Sequence, residues 1–212
     1  MRYLADVAAL ARKDLRLELR ARDTLPAMLL FVLSTLVVFH FVLPADSPDL
    51  AAKGVLWIAI LFTALLGLAR AFVAEREQSV LDGLVLAVSD RSAIWLGKAL
   101  ALLVFLVLAE LVALPAFAAF FAGLGPATLA AVALADIGIC AVGTLLAGMA
   151  VASRARELLL PLLFLPLAIP IVVGGVGASV TDTPSRYLGF LALYDAIFAL
   201  VSWAAFEYVV TE

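Results

Sequence analysis

Four carboxylates, one histidine and one cysteine are the residues whose types and settings could do chemistry in this otherwise apolar chain. Glu110, Asp136, Asp195 and Glu207 fall within or at the edge of long hydrophobic runs. A charge held at the middle of a bilayer costs on the order of 2.5–3.5 kcal/mol on insertion scales, so an acid placed there needs a proton, a partner or water. Glu110 and Asp136 lie 14 and 12 residues on either side of Leu124. That spacing sets them at matching depth on neighbouring helices, with no Lys or Arg at that depth to neutralise them. Two readings stand: a polar patch on a transport path or coupling element, or buried acids bonded to backbone or to hydroxyls such as Thr144. Asp195 falls about two turns from the outer end of its run, and Glu207 lies near the opposite end, within reach of water.

The sole histidine, His40, lies near the end of the first run. It could ligate haem or a metal, or be a solvated polar residue at the interface. Cys140 has no second cysteine, which excludes an internal disulfide and a cysteine-based metal site, and it reads as a small buried apolar residue. Trp57 and Trp95 read as interfacial anchors. No nucleophile stands paired with a base. No phosphate-cradling Gly-x-x-x-x-Gly-Lys-Ser/Thr loop is present, because Gly97-Lys98 lacks both the upstream glycine and the following hydroxyl. The chain is therefore expected to be non-catalytic, with no directly bound cofactor and no metal.

The elements that must position these residues are set by composition. Of 212 residues 66% are hydrophobic and 15% charged, with a mean hydropathy of +1.18. Soluble domains average roughly 45–50% apolar and roughly 25% charged. Such a chain cannot cover a water-facing surface, so its solvent is lipid. The first 25 residues carry charges throughout and do not read as a signal peptide. Six runs are long enough to span: Pro26 to Leu43, Gly54 to Val73, Ala93 to Phe121, Ala127 to Ala152, Leu158 to Ala178 and Leu188 to Val210. They lack barrel alternation, so the expected fold is an all-α integral membrane protein of six transmembrane helices, residues 1–212 forming one permease domain.

Orientation follows from the basic residues. With the N-terminus inside, 12 of the 14 Lys and Arg residues face the cytoplasm, and only Lys53 and Arg186 lie outside. Both termini are then cytoplasmic. Residues 1–24 carry Leu4, Val7, Ala8, Ala11, Leu15 and Leu19 on one helical face, opposite Arg2, Arg12, Lys13, Arg16 and Arg20, with Glu18 intruding on the apolar side. This pattern predicts an amphipathic helix in the interface, in contact with lipid headgroups; the alternative is a solvated basic leader.

The longest inner connection, 75–92, has charged ends and an apolar middle too short to span. Leu81, Leu84, Val85 and Val88 share one helical face. A short helix of this kind can dock into a groove on a cytoplasmic partner, or pack only on its own transmembrane helices. The fifth run carries Pro161, Pro166 and Pro170, then Gly174, Gly175 and Gly177. It reads either as a gating element or as a statically kinked helix.

Amphipathic helix, two spans, long inner loop and four further spans together resemble the membrane subunit of type-2 ABC exporters. More specifically, the chain resembles the haem exporter protein B (CcmB) family of cytochrome c maturation. The resemblance rests on Arg12-Lys-Asp-Leu-Arg-Leu-Glu-Leu-Arg20, on Glu75-Arg-Glu-Gln-Ser-Val-Leu-Asp-Gly-Leu84 with Asp90-Arg-Ser-Ala-Ile-Trp-Leu-Gly-Lys98, on Arg156-Glu-Leu-Leu-Leu-Pro161 with Pro166 and Pro170, and on Phe206-Glu-Tyr-Val-Val210. It implies a bacterial inner-membrane permease subunit, a separate cytoplasmic ATPase that hydrolyses ATP, other membrane subunits of the same system, a homodimer, and haem as substrate; no nucleic acid is expected. It also implies that 75–92 is the coupling loop, with Glu75 and Glu77 as charged contacts, Leu81, Leu84 and Val85 as the docking face, and Asp82 and Arg91 as further residues of the loop. The alternatives are the permease of another type-2 exporter, for lipid, drug or polysaccharide, and a stand-alone transporter using Glu110 and Asp136 as a proton relay.

Overall fold

Runs of Leu, Ala, Val and Phe that have no water to bond must close their backbone hydrogen bonds internally, and helices do so within each segment. The computed structural model of the chain describes residues 2–44, 49–73, 83, 88, 90–121, 123–151, 153 and 155–209. Among the described residues the seven long helices are α1 (Arg2–Ala21), α2 (Thr24–Val42), α3 (Asp49–Arg70), α4 (Ser92–Phe120), α5 (Pro126–Val151), α6 (Arg156–Val180) and α7 (Pro184–Val209). The last six are each long and apolar enough to cross a membrane. Most of the expected ends fall within about two residues of the observed ones.

Helix α5 lies against α6, α7 and α4, while α3 bridges α2 and α6. The core between them is filled by Trp57, Leu68, Leu106, Phe117, Ile139, Phe164, Ile171 and Phe206. Outward faces remain apolar: Leu30, Val38, Phe41 and Val42 on α2, and Leu193, Leu200 and Trp203 on α7, are exposed. An apolar exterior around an apolar core is what a lipid solvent selects.

Several expectations change. Helix α3 begins at Asp49, five residues before the expected Gly54, so Lys53 lies inside the helix and not in a loop. Its side chain is buried, donates to the carbonyl oxygen of Gly123 at 3.3 Å and lies 5.4 Å from the Phe117 ring centroid. A carbonyl and an aromatic face together accommodate a charge that hydropathy alone assigns to water. Trp57 and Trp95 are core residues, not interfacial anchors. The Trp57 indole donates to Ser179 Oγ and that of Trp95 to the Ala141 carbonyl, each at 3.1 Å. The Trp57 ring packs against Gly175, where a Cβ would overlap it. The glycines of α6 are thus packing positions, and the helix runs unbroken to Val180 through all three prolines.

Between α1 and α2 the chain turns at Arg22, whose φ of 58° is the left-handed conformation that ends a helix. Its amide donates to the Glu18 carbonyl at 2.8 Å.

Candidate functional site

The amphipathic helix α1 lies against the start of α4. Its buried stripe is Tyr3, Val7, Leu10 and Asp14, one residue every three or four. Leu4 and Leu19, expected on the apolar face, are 69% and 56% exposed. The stripe is turned because α4 offers polar partners as well as apolar ones. Ser92 Oγ donates to the Tyr3 hydroxyl at 3.2 Å. At Gly97 the two backbones meet: a Cβ there would lie 2.8 Å from Leu10 Cβ and 3.3 Å from the Val7 carbonyl oxygen. Only glycine allows this approach.

Next to Gly97 on α4, Lys98 is 4% exposed. Its ammonium donates to Asp14 Oδ2 at 3.0 Å and to the Ala71 carbonyl at 2.6 Å, and lies 4.6 Å from the Phe72 ring centroid. Asp14 also meets Lys13 at 3.1 Å. One cation thus joins α1, the turn that follows α3, and α4. A buried amine is tolerated only with such a set of acceptors.

Both ends of the connection between α3 and α4 are fixed, the leading one by this knot. On the leading side Phe72 is buried and its ring centroid lies 6.5 Å from that of Phe206 on α7. On the trailing side Asp90 Oδ1 accepts from the Ser92 amide at 2.8 Å, capping the start of α4. Arg91 Nη1 lies 3.9 Å from Glu207 Oε1, an exposed pair that places the end of α7 at the same end of the bundle as α1. Of the loop residues singled out from sequence, Glu75, Glu77, Leu81, Asp82, Leu84 and Val85 lie outside the described residues. Val88, expected on the docking face, is half-buried against the protein's own core.

Glu110 and Asp136 are brought together. Both are buried, 8% and 2% exposed, and their carboxyl groups face each other. Two facing carboxyls could share a hydrogen bond only if one of them kept a proton. Glu110 Oε1 and Asp136 Oδ1 have no hydrogen-bond partner, and neither does Thr144 Oγ1, so Thr144 does not serve the acids. Asp195 stands apart, buried over Gly138 with both oxygens unpartnered. Because α7 begins at Pro184, Asp195 is about three turns inside the helix. His40 is exposed and surrounded by the Phe41, Phe120 and Phe121 rings at 5.1–5.9 Å between centroids. No group of three or more His, Cys, Asp or Glu suited to a metal occurs among the described residues. Cys140 is buried and free.

Sequence reasoning missed the Lys98–Asp14 knot. The signal was present in the isolation of Lys98, the only charge between Arg91 and Glu110 in an apolar helix.

Comparison with known proteins adds what geometry cannot supply. Residues 5–207 match the family described as CcmB protein. The chain is 32% identical to "Heme exporter protein B" of Bradyrhizobium diazoefficiens, over 82% of this chain and 80% of that protein. It is 31% identical to the Paracoccus denitrificans protein of the same name, over 93% and 95%. For the Pseudomonas aeruginosa protein of that name the figures are 29%, 89% and 88%.

Proposed function

Because the chain belongs to the CcmB protein family, we propose that it is the membrane subunit of an ABC transporter that serves haem export in c-type cytochrome biogenesis. The observation that carries this reading is the family match, which runs from residue 5 to residue 207 and so includes α1, the α3–α4 connection and all six spans. The subunit supplies no ATPase of its own; a separate cytoplasmic subunit hydrolyses ATP and docks on residues 75–91. Other membrane subunits of the cytochrome c maturation system and a second copy of this chain complete the assembly. The protein resides in the bacterial inner membrane with both termini in the cytoplasm. The distribution of basic residues supports that orientation, as does the Arg91–Glu207 pair, which sets the end of α7 beside the loop and α1.

Coupling in this reading runs through the Lys98 knot. A push on 75–91 reaches Ala71 and Phe72 at one end and Asp90 and Arg91 at the other. Both ends are tied to α4, and Lys98 ties α4 to α1. Haem is a substrate of the assembly, and this chain binds no cofactor itself.

Deleting the gene in its host tests the reading. Loss of c-type cytochromes is the expected result, restored by the intact gene; normal cytochromes would exclude it. A stand-alone proton-coupled transporter is the second reading, and the facing, buried carboxyls of Glu110 and Asp136 are what favour it. It requires transport by the purified chain alone, without ATP.

A further inference from the structure

Where α1, the first turn of α2, the last turn of α3 and α4 meet, a half-open cleft is lined by Leu17, Gly67, Ala101, Leu102 and Phe105. Into these apolar walls project Asp14, Glu18, Thr24, Arg70 and Lys98, around an enclosed space of about 40 Å³, which is room for an ammonium group at the floor of the open cleft. The charges are not evenly matched. Asp14 is held by Lys98 at 3.0 Å and by Lys13 at 3.1 Å. Glu18 has no ion-pair partner among the described residues, and its Oε2 is shut away from solvent with no hydrogen bond. Thr24, 4% exposed, has an Oγ1 in the same condition. Leaving such an acceptor unmet costs about 1–3 kcal/mol, and more when it is charged, so the site calls for a ligand that brings N–H donors.

At the mouth, Arg70 is half-exposed and only loosely paired, its Nη1 3.7 Å from Asp23 Oδ2. A planar guanidinium in that position suits a phosphate. A ligand that satisfies the cleft therefore carries an ammonium with N–H groups for Glu18, a phosphate within a few ångströms of it for Arg70, and an apolar portion for Leu17, Leu102 and Phe105. It must also reach the site from the side, at the level where helices end and headgroups lie.

We propose that this cleft is a lipid site selective for phospholipids with a primary ammonium headgroup, phosphatidylethanolamine being the simplest. An anionic headgroup would satisfy Arg70 and leave Glu18 without a donor cation. A choline headgroup brings positive charge but no N–H. Selectivity is thus expected in the order ethanolamine, then choline, with glycerol headgroups no better than choline.

The test is native mass spectrometry of the delipidated full chain in detergent, titrated with phosphatidylethanolamine, phosphatidylcholine and phosphatidylglycerol of identical acyl chains. The ethanolamine lipid is expected to be retained about tenfold more than the choline lipid, the equivalent of one charge-assisted hydrogen bond. Glu18→Gln should bring the ethanolamine lipid down to the choline level, and Thr24→Val should lower it by a smaller factor. Soluble phosphoethanolamine at the same concentration should not displace the lipid. Equal retention of ethanolamine and choline lipids by the wild-type chain would overturn the proposal and leave the cleft to a donor such as a partner protein's lysine. Preference for phosphatidylglycerol would overturn it by showing recognition through Arg70 alone, and displacement by soluble phosphoethanolamine would overturn the role of the apolar walls. The comparison of lipids on the wild-type chain needs no variant to fold.

Discussion

Lys98 and Asp14, 84 residues apart in sequence, meet at 3.0 Å in a setting where both side chains are almost fully enclosed. Lys98 is 4% exposed and Asp14 12%, so solvent screens their attraction far less than it screens a surface pair. The third member, the Ala71 carbonyl, brings the end of α3 into the same contact. The bridge is the point at which the N-terminal helix becomes part of the bundle instead of a segment lying beside it.

Removing the cation should therefore cost more than removing the acid. Lys98→Met leaves Asp14 with Lys13 alone and is expected to destabilise the protein by about 2–3 kcal/mol, at the low end for a broken buried pair. Asp14→Asn keeps a hydrogen-bond acceptor for Lys98 and should cost less. The double variant should recover part of the loss, with a coupling of about 1–3 kcal/mol in a double-mutant cycle. Thermal unfolding in detergent reads all four proteins. If the two single losses simply add, the bridge contributes nothing.

Gly97→Val tests the close approach of α1 to α4 separately from charge. The new side chain would start 2.8 Å from Leu10 Cβ, against a helix whose backbone lies at 3.3 Å and 3.4 Å. Overpacking of this kind costs about 1–3 kcal/mol, and here α1 has room to lift away. The expected result is faster proteolysis within residues 2–21 and unchanged helicity of the spans. Protection equal to wild type would show that α1 is held elsewhere.

The spans were legible in the sequence because a lipid solvent imposes a single demand, length and apolarity, on each of them. What the sequence obscured were polar groups that protein contacts had removed from water. Lys53 reads as a loop residue until Gly123 and Phe117 are seen around it. Trp57 and Trp95 read as anchors until their indoles are seen bonded between helices. On α1 a helical wheel finds Leu4 and Leu19, but Tyr3 and Asp14 decide which face turns inward, and their partners Ser92 and Lys98 lie more than 80 residues on. The Glu110–Asp136 pair was the exception: two acids equidistant from one turn must lie at one depth, and the packing of α4 on α5 joined them.

That pair separates the two functional readings. In Glu110→Gln the amide can donate to the facing Asp136 carboxyl, so stability is expected to change by less than about 1 kcal/mol. A chain driven by ATP hydrolysis in a partner should keep c-type cytochrome levels within about twofold of wild type, since the substitution removes no contact. A proton relay through this carboxyl would instead be abolished, because an amide does not release a proton at physiological pH. Loss of function in a folded Glu110→Gln protein would therefore favour the relay.

The α3–α4 connection itself carries the last prediction. Its ends are fixed by Phe72 against Phe206, by the Asp90 cap and by Val88 against the core, and among the apolar residues between the charged flanks Leu81, Leu84 and Val85 share one helical face. An apolar contact of a few side chains is sensitive to one buried charge, which adds desolvation cost to lost area. Leu84→Asp should reduce co-purification of the ATPase subunit at least about tenfold and lower c-type cytochromes, with helicity and monodispersity unchanged. Arg91→Ala is the matched control. Its ion pair with Glu207 is long and exposed, worth about 0–1 kcal/mol, so stability should be unaffected and any loss of ATPase binding would mark Arg91 as a direct contact. Full retention of the ATPase by Leu84→Asp would show that the docking surface lies outside this loop.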